Sequence, residues 1–336
     1  MRFVGKRAGM RRREFLGALG GAAALPLAAR ADPQVPVIAI LGSGAADAPS
    51  SKTQLELMRA GMRDLGLVEG KDYVFIARWA DSDPSRFPAL AAELLALHPA
   101  AVVVSTNLAV TTVQGLSRTV PIVGTSLNAP LAVGLVASLS HPGGNVTGVS
   151  TMAEDLQLKL VEIIREILPE ARNLAVIFNP TNSSNPLMLD MLTKELANTG
   201  LAVGSVAVHS PEDLDAAFAE VSRQHPAALI VLTDNSLQGL TDDIVARALA
   251  QKLPIFGSFT LTFMQAGALI NYGRVSKEAF QASARLLKKI LGGASPADLP
   301  VEQPNRYSLA INLKTAKVLG IKIPPTLLAR ADEVIE

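Results

Sequence analysis

Between its hydrophobic runs the chain repeatedly sets short clusters of hydroxyl and carboxamide side chains. Gly42-Ser43-Gly44 leads on to Asp47, and Thr106-Asn107 and Thr125-Ser126-Leu127-Asn128 follow. Asn179-Pro180-Thr181-Asn182, Thr233-Asp234-Asn235 and Ser258-Phe259 continue the series in the second half. Such groups donate and accept hydrogen bonds but are poor nucleophiles and poor proton carriers near neutrality. Their chemistry is recognition: the polar members, with Phe259 as a surface to stack on, form a candidate binding site for a small polar molecule. Each Ser, Thr or Asn alone is an ordinary cap or turn residue. Six loops biased the same way point to one polar surface.

The charges in these loops narrow the ligand. They hold no Lys or Arg, and their acids are Asp47 and Asp234. A buried charge needs a partner, so a polyanion such as a nucleotide finds none here. A zwitterionic amino acid remains possible, its ammonium on Asp234 and its carboxylate on hydroxyls and helix N-termini.

Catalytic arrangements are absent. Gly42-Ser43-Gly44 lacks the third glycine of the dinucleotide fingerprint, and neither a GxxxxGK[ST] loop nor a G-x-S-x-G elbow occurs. The four histidines (His98, His141, His209 and His225) are scattered, without the i+4 pairing of a zinc helix. With no cysteine in the chain, thiolate metal sites and cysteine nucleophiles are excluded. The expectation is a protein without enzymatic activity, cofactor or metal.

The elements that position the polar loops are short apolar runs alternating with amphipathic stretches, the pattern of parallel sheets covered by helices. Pro36–Leu41 reads as a buried strand, and Ser50 or Ser51 is expected to cap the helix that carries Leu55, Met58, Met62 and Leu65. Tyr73–Trp79, Val102–Ser105 and Pro121–Gly124 read as strands, with helices over Pro84–Leu97 and Leu108–Ser117. The pattern then restarts at Asn173–Phe178. His98-Pro99-Ala100-Ala101 returns as His225-Pro226-Ala227-Ala228, and Pro121-Ile122-Val123-Gly124 as Pro254-Ile255-Phe256-Gly257, at offsets of 127 and 133. Two α/β domains of similar topology are therefore expected. Ala268–Tyr272 reads as a further strand, Lys277–Leu291 as a helix, Tyr307–Asn312 as a strand and Leu313–Leu319 as a short helix. The expected domains are residues 35–150 plus about 274–298, and 151–272 plus about 304–336, joined by about three crossovers.

The overall charge hides an asymmetry. The full 336 residues carry 31 basic and 30 acidic side chains, which excludes a globally basic nucleic-acid binder. Seven of the basic residues and one acid lie in residues 1–31, so the remainder carries 24 against 29, about −5. The basic start, Arg12-Arg13-Glu14-Phe15-Leu16, the weak apolar run to Ala29 and the Ala29-Arg30-Ala31 site read as an export signal of twin-arginine type. The apolar run has 14 residues, too few to span a bilayer, for which about 20 are needed. Cleavage near Ala31 would release a periplasmic protein with no cysteine for a lipid anchor.

His141-Pro142-Gly143-Gly144-Asn145-Val146-Thr147-Gly148 resembles a motif of the ABC transporter substrate-binding proteins of the tryptophan/tyrosine type. Leu299-Pro300-Val301-Glu302-Gln303-Pro304, Ile311-Asn312-Leu313-Lys314-Thr315-Ala316-Lys317 and Ile323-Pro324-Pro325 with Ala331-Asp332-Glu333 extend the resemblance along the chain. It implies a type I periplasmic-binding-protein fold of two Rossmann-like lobes that close on a ligand. The implied partners are a small-molecule ligand and an ABC permease, with no nucleic acid, and the protein is expected to be a monomer. An exported sensor of the same fold is the alternative. The chain departs from the family at Asn128-Ala129-Pro130 and at Thr260-Leu261-Thr262-Phe263, where Ala129, Leu261 and Thr262 replace ionisable residues.

Overall fold

A computed structural model describes residues 35–336 other than 198 and 260; the segment read as a twin-arginine export signal, with the cleavage expected near Ala31, lies outside the described residues. The first half builds β1 (Val37–Gly42), α1 (Pro49–Asp64), β2 (Val74–Trp79), α2 (Phe87–Leu95), β3 (Ala101–Val104), α3 (Asn107–Leu116), β4 (Ile122–Leu127) and β5 (Val146–Ser150). These strands form one parallel sheet in the order β2-β1-β3-β4-β5. β3 is buried along its whole length, as expected of a strand covered by helices on both faces.

The second half opens with α4 (Ala153–Ile167), β6 (Asn173–Phe178), α5 (Ser184–Leu196), β7 (Ala202–Ala207), α6 (Leu214–Gln224) and β8 (Ala228–Val231). It continues with α7 (Asn235–Gly239), α8 (Thr241–Ala250), β9 (Ile255–Gly257), α9 (Leu261–Gln265), β10 (Ile270–Arg274) and α10 (Ser276–Leu291). β11 (Tyr307–Asn312), α11 (Leu313–Leu319), α12 (Pro325–Leu328) and β12 (Glu333–Ile335) complete the chain. The second sheet runs β12-β11-β10-β9-β8-β6-β7. Its inner order, β7-β6-β8-β9-β10, repeats β2-β1-β3-β4-β5 strand for strand. β11 and β12 are additions, and β11 is antiparallel to β10.

The sequence repeat has a backbone cause. His98 and His225 hold left-handed φ values of 49° and 46° where the chain turns from α2 or α6 towards the next strand. Gly66 and Gly200, at +79° and +75°, make the corresponding turns after α1 and α5.

The chain passes between the sheets after β5, after β10 and again between Glu302 and β11. On its excursion from the second sheet, α10 packs against α1, where Gly61 lets the helices close up: a Cβ there would lie 2.9 Å from the Ala284 Cβ. Ala284, Leu287 and Ile290 join Met58 and Met62 beneath the first sheet. No helix among the described residues is long and apolar enough to cross a membrane.

The motifs that carry the family resemblance are structural joints. Val301 N–H donates to the Leu139 carbonyl (2.7 Å), Glu302 N–H to Gly148 (2.8 Å) and Ser150 N–H to Glu302 (2.9 Å). Thr147 Oγ1 donates to the Leu299 carbonyl at 2.8 Å. The HPGGNVTG and LPVEQP segments are thus one joint made from distant parts of the chain. Asn312 likewise caps α11 by accepting from Thr315 N–H (3.0 Å) while its Nδ2 holds the Met264 carbonyl (3.2 Å).

Three local expectations change. α1 begins at Pro49, whose fixed φ suits the first helical position, and neither Ser50 nor Ser51 caps it; Ser51 is buried in the first turn. Pro84–Arg86 is a separate 3-10 turn capped by Asp83, so α2 starts only at Phe87. The strand read as Ala268–Tyr272 runs two residues further, to Arg274, which places a guanidinium at its C-terminal end.

Candidate functional site

The loops after β1, β3 and β4 in the first sheet face those after β6 and β8 in the second. Between them lies a cleft of about 550 Å³ counted to its open mouth, within the usual range for small-molecule sites. Of the residues nominated from the sequence, Ser43, Thr106, Asn107, Ser126, Asn128, Asn179, Thr181, Asn182 and Asp234 line it. Ser105, Leu108, Ser236, Pro84 and Phe87 join them, the last two from the segment leading into α2. An outer groove sharing Ser43, Pro84, Phe87, Asn235 and Ser236 leads in. An inner chamber of about 450 Å³ shares Ser126, Thr233 and Asn235 with the cleft and adds Thr151, Ser258, Phe259 and Arg274.

Much of the polar lining is held by the lining itself. Asp234 is buried, and its Oδ1 accepts from Leu237 N–H (2.9 Å), capping α7, and from Asn179 Nδ2 (3.2 Å). Its Oδ2 accepts from Asn182 Nδ2 at 2.9 Å. Asn179 and Asn182 in turn accept from Thr181 and Ser184, so the loop after β6 is organised around this carboxylate. In the first half Asn107 plays the clamp: its Nδ2 donates to the Asn128 carbonyl (2.7 Å) and its Oδ1 accepts from Asn128 N–H (3.1 Å). Thr106 caps α3 through Ala109 N–H.

Three nominated residues sit elsewhere. Asp47 is exposed and lines none of these cavities, because the loop after β1 turns outward before α1. Thr125 points to a separate apolar pocket beside Trp79, its hydroxyl donating to the Val104 carbonyl at 3.4 Å. Trp79 itself fills space over Gly42, where a Cβ would lie 2.0 Å from the indole. Phe259 is mainly core, its ring centre 4.9 Å from that of Phe263, with one edge on the inner chamber.

Hydrogen bonds cross from one sheet to the other at the cleft. Asn128 Nδ2 donates to the Thr233 carbonyl (3.4 Å) and Asn235 Nδ2 to the Ser105 carbonyl (3.2 Å). Arg274, at the end of β10, donates to the Thr125 carbonyl (2.8 Å) and to Ser126 Oγ (2.9 Å). Arg274 is half-buried, and desolvation lowers its pKa from the ordinary 12.5 to about 10. The inward reach of Arg274 is the feature that sequence reasoning missed. Equivalence of β10 with β5, which ends at Ser150 just before Thr151 of the inner chamber, is the available clue.

The model of the family described as ABC transporter substrate binding protein matches residues 37–335. A tyrosine-binding protein of Clostridioides difficile is 26% identical over 207 residues, 61% of this chain and 59% of that protein, so the match spans under two thirds of the relative. A conserved domain protein from Vibrio cholerae has a similar structure, with a TM-score of 0.82 at 25% identity, covering 90% of this chain and all of that one. A Streptococcus pneumoniae ABC domain in complex with L-Trp superposes with a TM-score of 0.81 at 24% identity, covering 89% and 99% of the two chains. These neighbours share the two-lobed fold of type I periplasmic binding proteins.

Proposed function

The chain belongs to the ABC transporter substrate binding protein family, and from that premise we propose that it captures a small amphipathic metabolite of amino-acid size between its two lobes. The family is one of binding proteins and not of enzymes, and its members work with ABC permeases. The observation that carries the reading is the shared cleft: loops from both sheets meet there, lined by hydroxyls and amides with Leu108, Pro84 and Phe87 as apolar surface. A ligand touching both halves favours their closed arrangement, since it gains contacts that an open form lacks.

In this reading residues 35–150 with about 274–298 form one lobe, and 151–272 with about 304–336 the other. The three crossovers are the hinge. The protein acts outside the cytoplasm as a monomer after removal of its signal, and hands its ligand to a permease for uptake. The names of its relatives, tyrosine-binding and L-Trp-bound, support aromatic amino acids and their close analogues as the first compounds to try.

A thermal-shift screen of amino acids, their deaminated and amidated analogues, nucleosides and sugars tests this. One chemical class is expected to raise Tm by several degrees, as mass action requires of a ligand at a hundred times its Kd. No stabilising compound in the whole panel, together with turnover of some substrate, contradicts it.

A further inference from the structure

Among the described residues Arg274 is a cation without a carboxylate partner. None of the ion pairs among the described residues includes it. The acids on its outer side are taken: Glu278 pairs with Arg306 at 3.6 Å and Glu302 with Arg285 at 2.6 Å. A guanidinium has five N–H donors, and two of those of Arg274 are used, on the Thr125 carbonyl and Ser126 Oγ. Both acceptors are neutral. A half-buried charge that meets only neutral acceptors is costly to the fold, and such groups concentrate at functional sites.

The inner chamber supplies what an anion needs. Ser126 accepts from Arg274, which leaves its own hydroxyl hydrogen to donate. Ser258 adds a second hydroxyl, whereas the Thr151 hydroxyl is spent on Asn128 Oδ1 at 2.6 Å; Phe259 and Leu156 give the chamber apolar surface. By contrast, the acid suited to an ammonium is already engaged by three donors, from Asn179, Asn182 and Leu237. Among the described residues that line the inner chamber, the charged side chain is that of Arg274, and it is positive.

Resting on the binding function above, we infer that the ligand is a carboxylate whose anionic head sits on Arg274 and Ser126 in the inner chamber, its apolar body extending into the main cleft. Charge recognition then comes from the carboxylate, and an α-ammonium adds little. The ligand class is monocarboxylates, amino acids among them, in preference to amines, amides and sugars.

Calorimetric titration of matched probes decides this without any variant: 3-(4-hydroxyphenyl)propionate, L-tyrosine, L-tyrosinamide, tyramine, phenylacetate and phenylacetamide. Each acid is expected to bind at least about 30-fold tighter than its amide, the scale of a buried hydrogen-bonded charge pair. The deaminated acid should bind within a few-fold of L-tyrosine, and tyramine not detectably. Arg274→Gln should collapse the acid-to-amide ratio towards one, and Arg274→Lys should retain part of it. Equal binding of acids and amides, or a strict need for the ammonium, overturns the Arg274 assignment while leaving ligand capture in place. A neutral sugar or nucleoside as the tightest ligand of the broader screen also overturns it. Silence from every compound in that screen, together with turnover of some substrate, overturns both readings.

Discussion

Asp234 looks in the sequence like a free acid beside a strand, yet in the fold it is the centre of a small polar network. It caps α7 and gathers the side chains of Asn179 and Asn182. The polar character of the cleft was legible from residue types, whereas the division between groups that hold loops and groups left to touch a ligand was not. That division depends on which neighbours the fold delivers. Asn107 makes the point: both ends of its amide are spent on the backbone of Asn128. Replacing it with Leu strands a buried N–H and a carbonyl, and should cost about 1–3 kcal/mol in urea unfolding. Gln157 is the converse. It is 1% exposed, and among the described residues neither its amide oxygen nor its nitrogen has a hydrogen-bond partner. Gln157→Leu keeps the volume and removes the desolvation cost, so the same measurement should show a gain of about 1–3 kcal/mol. A loss would mean the amide is satisfied in solution.

Elements were easier to read than contacts, because a buried parallel strand needs an apolar run and a helix needs its period. Strand ends were harder: β10 was read two residues short, and with it Arg274 was kept out of the cleft. An apolar-to-polar boundary stops a strand too early when its last residue is a half-buried cation. The docking of the two distant motifs was not legible either, since no local pattern states that residues 139–150 and 297–302 pair. Gly148 explains part of that motif. Its φ is +154°, and a Cβ there would lie 2.1 Å from the Gly124 carbonyl oxygen. Gly148→Ala must push β4 and β5 apart or abandon the conformation, and should cost more than about 3 kcal/mol, read as a fall in Tm. A variant as stable as the parent would contradict the close approach.

At the scale of the molecule, one half-structure written twice yields two matched sheets. The order and spacing of the repeated segments announced this, although the antiparallel β11 and the edge strand β12 were not foreseen as such. The doubling brings two sets of strand ends to one cleft, and side-chain hydrogen bonds from Asn128, Asn235 and Arg274 span it. The motifs that carry the family resemblance lie in joints and caps and do not line this cleft. Ser126 stands where the cleft and the inner chamber meet. The most direct test is therefore a calorimetric titration of the strongest stabilising compound into the parent protein and into Ser126→Phe, whose ring fills that junction. Binding weakened at least about 100-fold, with Tm of the free variant within a few degrees of the parent, is the predicted result. Undiminished affinity in the folded variant would place the ligand elsewhere and contradict capture between the lobes.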